Sequence, residues 1–190
     1  MAKVQPSDTR ITISDTVEGL RIVMPCRRSW FVIWFLGFWI CGWAVGEVVV
    51  TRQYLQGDAP PDGELFILTW LGVWTVGGLV AMYAWSWQVI GKEILTVHGQ
   101  QFTIRRDIAG VGFDKEYNLV EMRDLRVQLP GFNPIDVSSS LQLWGVGGGV
   151  MVFDYGARTY RFGAGLDEAE AKQVMMAIKQ RYRIPESTPK

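Results

Sequence analysis

Glu47 is the one carboxylate in an otherwise apolar run, RRSWFVIWFLGFWICGWAVGEVVV (27–50), which also holds four tryptophans and three glycines. An acid inside a membrane span is functional by default when it lies deep. Glu47 follows Trp30 by seventeen residues, about 25 Å of ideal helix, which places it close to the outer interface of a span. The expectation is a carboxylate that snorkels towards water or Arg52. The rival is a hydrogen bond to an indole N–H or to a residue of a partner.

Other reactive side chains are sparse. Haem and pigments take axial imidazole or sulfur ligands, and the single histidine, His98, falls in the turn of HGQ, outside both apolar runs. Met82 and Cys41 are the remaining formal ligands, so no cofactor is assigned, although indoles could still line a neighbour's pigment. Cys26 and Cys41 are fifteen positions apart with no CxxC pattern; on one continuous helix they are too distant to bridge and read as small apolar residues. No Ser/His/Asp order, HExxH, Walker motif or metal-spaced Cys/His cluster occurs. The chain is therefore read as a non-enzyme without catalytic residues or metal ligands. Gly145, Gly147, Gly148 and Gly149 lead into a strand, whereas a dinucleotide fingerprint must open a helix.

The tryptophans and small residues carry a packing signal. Trp30, Trp85 and Trp87 sit where an interfacial aromatic belt belongs. Trp70, Trp74, Gly77, Ala81 and Trp85 form one stripe at helical spacing. Gly42 and Gly46 make a GxxxG, with Trp39 and Trp43 on nearby azimuths. In lipid no hydrophobic force drives helix association, so small residues that admit a close backbone approach matter. Two readings stand: the stripes zip a hairpin together, or they add a surface for another membrane protein. GxxxG also allows self-association.

The elements that position these residues are two spans, 29–50 and 65–90. Between Leu65 and Ile90 there is no charged side chain at all. Each run exceeds the ~20 residues that cross a ~30 Å hydrocarbon core. The loop 51–64 carries Arg52 against Asp58, Asp62 and Glu64, whereas Arg21, Arg27 and Arg28 precede the first span and Lys92, Arg105 and Arg106 follow the second. The positive-inside rule puts both termini in the cytoplasm and the loop outside, as a multi-pass protein of an inner, cytoplasmic-type membrane. The first 28 residues lack the short apolar segment of a cleavable signal. Nineteen basic and nineteen acidic residues leave no net field to draw nucleic acid.

The remaining mass reads as β followed by one helix. EILTV and QFTIRR flank a Gly-containing turn; VGFDKEYNL and DLRVQL continue the series; VMVFDY and TYRF form a hairpin around GAR. RITISDTVEGLRIVMP, within 1–28, is a further strand pair that turns near Gly19 and joins the sheet of the domain 91–190. A helix over 167–182 starts on an Asp167/Glu170 capping pair, with Ala171, Val174, Met175, Ile178 and Tyr182 on one face. The long segment 130–150 is compliant at its glycines and sticky at Phe132, Leu143 and Trp144, which suits a partner-contact loop.

Six to eight strands closed by one C-terminal amphipathic helix follow the outline of a pleckstrin-homology-like barrel. With GLRIVMPCRRSWF, LTWLGVWTVGG, GKEILTV and FDYGARTYRFGAGLDEAEA, the chain resembles bacterial two-span membrane proteins that carry such a domain. The resemblance implies a membrane-tethered scaffold or accessory subunit. Some such domains bind phosphoinositides through clustered basic residues, and here Arg105–Arg106 is the one doublet in 91–190. The expected function is a non-catalytic accessory or stabilising subunit of a larger membrane complex, with a bioenergetic host, photosynthetic or respiratory, as one instance. The alternative is a stand-alone tethered module that recruits a protein, peptide or lipid head group.

Overall fold

The computed structural model describes residues 10–16, 19–57, 63–129 and 148–185. The chain forms two compact units, 28–89 and a second made of 1–27 with 90–190.

Among the described residues the larger unit is built on eight antiparallel strands. β1 (Thr12–Thr16), β2 (Gly19–Pro25), β3 (Gly91–His98), β4 (Gln101–Ile108) and β5 (Val111–Asn118) form a meander in that order. β6 (Met122–Val127), β7 (Met151–Tyr155) and β8 (Arg158–Phe162) form a second sheet. Strand periodicity explains the core. β2 alternates, burying Leu20, Ile22 and Met24; Leu95, Val97, Phe102 and Ile104 extend that face across β3 and β4. Met122, Leu125, Met151, Phe153 and Phe162 supply the opposite layer. Phe102 meets Phe153 and Phe162 edge-on, each at 5.8 Å between ring centroids, the favoured geometry for aromatic quadrupoles.

β2 and β3 are neighbours in register, Pro25 opposite Lys92, and Cys26 N donates to Gly91 O at 3.0 Å. The helical residues 28–89 thus interrupt the chain where a tight turn would otherwise join two strands. The β4–β5 turn uses Ala109 and Gly110, both at positive φ (52° and 92°), as a type I′ hairpin demands. The β7–β8 turn is the two-residue Gly156–Ala157, because Arg158 already pairs with Tyr155.

The expected barrel is not closed: among the described residues the strands stay in two separate sheets. β6 is where the ladder breaks. Its register shifts between Arg123 and Arg126, and Asp124 adopts φ 51°, the geometry of a bulge that bends a strand and leaves a residue unpaired.

α3 (Glu168–Arg181) begins at the capping box expected from the sequence, with Asp167 accepting from Glu170 N and the Glu170 carboxylate accepting from Asp167 N. It buries Ala171, Val174 and Ile178, and the Tyr182 hydroxyl beyond its end donates to Val97 O at 3.2 Å.

The smaller unit is a helical hairpin of α1 (Trp30–Leu55) and α2 (Glu64–Ile90), both long and apolar enough to cross a membrane. α1 continues through Thr51–Leu55, beyond the span expected to end at 50, because no Gly or Pro interrupts it there. It stops where Gly57 adopts φ 78°, the left-handed position that suits glycine after a helix.

Candidate functional site

The helix seam is built from two reciprocal tryptophan–glycine contacts. Trp43 of α1 lies over Gly78 of α2, where any Cβ would overlap its indole, and Trp43 Nε1 donates to Trp74 O at 3.1 Å. Trp85 of α2 lies over Gly37 of α1, 3.3 Å from where a Cβ would stand, and its Nε1 donates to Ile33 O at 3.0 Å. In both, the accepting carbonyl is four residues before the glycine. That carbonyl already serves the helix ladder, and the indole uses its second lone pair. A bare glycine is what lets the ring come that close. At the base of the hairpin, Gln88 Oε1 accepts from Ser29 N at 3.3 Å.

Gly78, rather than the expected Gly77, is the residue in close contact. A Cβ on Gly77 would meet nothing within 4 Å, and the same holds for Gly42. Gly46 does face the seam, its Cβ position 4.0 Å from Trp74 Cζ2. Trp74 stacks on Trp70 at 4.8 Å and lies 6.3 Å from Trp39. Ala81 is half-buried. The structure therefore divides the sequence-derived set. Trp43, Gly46, Glu47 and Trp74 turn into the hairpin, while Gly42 and Gly77 stay open and Trp39 and Trp70 stand at the margin.

Glu47 does not reach for water or Arg52. Its Oε1 accepts from Thr75 Oγ1 at 2.7 Å, and its Oε2 is buried without a hydrogen-bond partner. Thr75 Oγ1 is also 2.7 Å from Leu71 O, so its single proton serves one acceptor at a time. The reason lies in the register: α2 brings a hydroxyl to the level of the acid, and an exposed route to Arg52 would forgo that bond in an apolar setting.

Outside the seam the helices present a broad apolar face. Phe38 is 84% exposed and Trp34 74%, with Trp30, Phe31 and Val45 similarly open on α1, and Val73, Val76 and Val80 on α2.

In the β unit the arginine doublet is held in ion pairs. Arg106 Nε donates to Glu93 Oε1 at 3.1 Å. Glu93 is buried, and its Oε2 accepts from Gly163 N at 2.6 Å and Ala164 N at 3.3 Å. Arg105 bridges Asp107 and Asp114 and donates to Gly110 O at 3.0 Å. Burial opposes ionisation of Asp107, but the Gly110 N–H, Lys92 and Arg105 outweigh it and hold its carboxyl below the usual carboxylate range.

Phe132, Leu143 and Trp144 lie outside the described residues. His98 is exposed at the end of β3, Cys41 is exposed on α1, and Met82 is half-buried on α2. Among the described residues no three His, Cys, Asp or Glu side chains group as a metal site would require.

Sequence reasoning missed Gly37, Gly78, Thr75 and Glu93. A signal for the first three was present. Trp43 with Gly78, Glu47 with Thr75 and Gly37 with Trp85 are spaced almost symmetrically about Pro60–Pro61 in the sequence, as an antiparallel hairpin requires. Comparison of the chain with family models, with curated proteins and with solved structures finds no match.

Proposed function

We propose that the protein is a non-catalytic accessory or stabilising subunit of a larger membrane protein complex, inserted through its helical hairpin. The observation that carries this reading is the division of small and aromatic residues along the helices. The hairpin closes on Gly37, Gly46 and Gly78, yet Gly42 and Gly77 remain open among large exposed apolar side chains. Small residues beyond those a hairpin needs are the means by which another helix packs closely in lipid. Insertion is supported by the fact that only 6% of the most apolar window in each helix is buried; a core helix of a water-soluble protein would bury most of it.

In this reading both termini and the β unit lie on the cytoplasmic side of an inner, cytoplasmic-type membrane, as the arginine and lysine distribution favours. The β unit is a pleckstrin-homology-like domain, supported by its two antiparallel sheets and C-terminal helix. It braces a cytoplasmic face of the host rather than capturing phosphoinositides, since Arg105 and Arg106 would have to abandon Asp107, Asp114 and Glu93 to bind a head group.

A photo-reactive amino acid at Phe38, activated in native membranes, tests the proposal. It should yield one adduct of defined mass with another membrane protein. Adducts with lipid alone, or with a second copy of this chain alone, would overturn it.

A further inference from the structure

The β4–β5 hairpin of the β unit ends in an apolar tip. Val111 is 77% exposed and Phe113 80%, and the strand period puts both on one face of β5. Ile108, directly opposite Val111, shares that face and is half-buried, and Ala109 in the turn is exposed. The core does not account for these side chains. On β4 and β5 it takes Phe102, Ile104 and Tyr117, all nearer the other end of the strands, and Phe113 stands opposite Arg106, whose guanidinium donates to Glu93.

The strand register places this tip. Ile108 pairs with Gly91, and Gly91 follows Ile90, the last residue of α2, with no linker between them. Two strand spacings, about 10 Å, separate Gly91 from Val111, a distance internal to the β unit. Cys26 N donates to Gly91 O, and the exposed Arg27 and Arg28 lead from there towards α1. The tip therefore stands at the end of the sheet where the chain leaves for α1 and returns from α2. The acids on the opposite face of the hairpin are already matched: Asp107 and Asp114 both pair with Arg105, and Lys92 also reaches Asp107. An exposed apolar patch with polar surroundings marks a protein or a membrane contact. Its tether to the end of a span selects the membrane, and the exposed arginines beside it select an anionic surface.

We propose that the β4–β5 tip is a further membrane contact, in which Val111 and Phe113 enter the head-group region of the leaflet from which α2 emerges. Apolar groups at such an interface sit about 5–10 Å deep, which the tip can reach from its tether. Arg27 and Arg28 meet the phosphates of anionic lipids around it. The proposal rests on insertion of the helical hairpin and is independent of whether the chain is a subunit of a complex.

Spin labelling of the full chain, reconstituted in vesicles of phosphatidylcholine and phosphatidylglycerol, tests it. Cys26 is buried, and the exposed Cys41 is replaced by alanine. Labels are carried singly by Phe113→Cys, Val120→Cys and Phe38→Cys, and their collisions with lipid-soluble oxygen are compared with those with a water-soluble nickel chelate. Val120 is exposed beyond the other end of β5 and serves as the water-facing reference. The expected result is oxygen preference at 113, as at 38, and nickel preference at 120. Oxygen preference at 38 with nickel preference at 113 overturns this proposal alone, whereas nickel preference at 38 overturns the hairpin insertion beneath it. A label at 113 shielded from both reagents, the mark of a tip covered by protein, also overturns the proposal. A label on Ala109→Cys reads the tip with both native side chains in place. It should prefer oxygen there and nickel in the Val111→Asp/Phe113→Asp background, and the same preference in both would contradict insertion through these two residues.

Discussion

Gly42 and Gly78 are the same residue type in facing helices, but a side chain added at each meets different surroundings. Leucine at 78 would have to displace the Trp43 indole, forfeiting its bond to Trp74 O. Overpacking of this kind costs about 1–3 kcal/mol, so Gly78→Leu should lower the thermal midpoint of the detergent-solubilised protein by several degrees. Gly42→Leu adds its side chain to open space and should leave the midpoint nearly unchanged, a shift of about 0.5 kcal/mol or less. Equal losses at both positions would show that the seam has been misassigned. At this scale the sequence was only partly legible. The tryptophans and glycines announced helix packing, but Gly77 and Gly78 are adjacent and either could lie on the stripe. Only the facing helix chooses between them, and Trp43 chooses Gly78. Glu47 was misread for a related reason. Its depth could be counted along one helix, but Thr75 is contributed by the other.

Elements with strong local signals matched their expectation to within a few residues. The α3 capping box is written in four consecutive positions, and strands β3, β4, β7 and β8 are short apolar-rich runs around two-residue glycine turns. Glu93 was illegible because its partners come from elsewhere: Arg106 from β4, and the Gly163 and Ala164 amides from the segment after β8. It joins the first sheet to the end of the second. Glu93→Ala would leave a buried amide and the Arg106 guanidinium without that acceptor, and should destabilise the β unit by about 3 kcal/mol. Glu93→Gln, which keeps an oxygen for Gly163 N, should cost visibly less. Denaturant unfolding of the full chain in detergent, followed by limited proteolysis of the β unit, measures both. A neutral Glu93→Ala would mean that this cross-link contributes nothing.

For the whole molecule, the central topological fact is that a helical hairpin occupies the β2–β3 connection of an antiparallel sheet. The separation of 1–28 from 91–190 in sequence therefore conceals one sheet, since Leu20, Ile22 and Met24 are almost completely buried against the strands that follow. Each such side chain is worth about 1.5–3 kcal/mol, a large share of the roughly 5–15 kcal/mol that holds a domain together. A chain that joins Arg27 to Ile90 through a short flexible linker should fold and show cooperative unfolding, because Cys26 N and Gly91 O already meet. Residues 91–190 alone, lacking β1 and β2, should not. If 91–190 were as stable as the linked chain, the two N-terminal strands would be dispensable to the core.

The proposed function requires that other subunits cover the open helix face in the membrane. The most direct measurement is extraction of the native protein in mild detergent, separation by native electrophoresis, and mass spectrometry of the band with its subunit stoichiometry. A large band with partners in fixed ratio, lost in the Gly42→Leu/Gly77→Leu double variant while the hairpin keeps its thermal midpoint, is the predicted result. A small band containing this chain alone would contradict the account and leave the tethered recruiting module in its place.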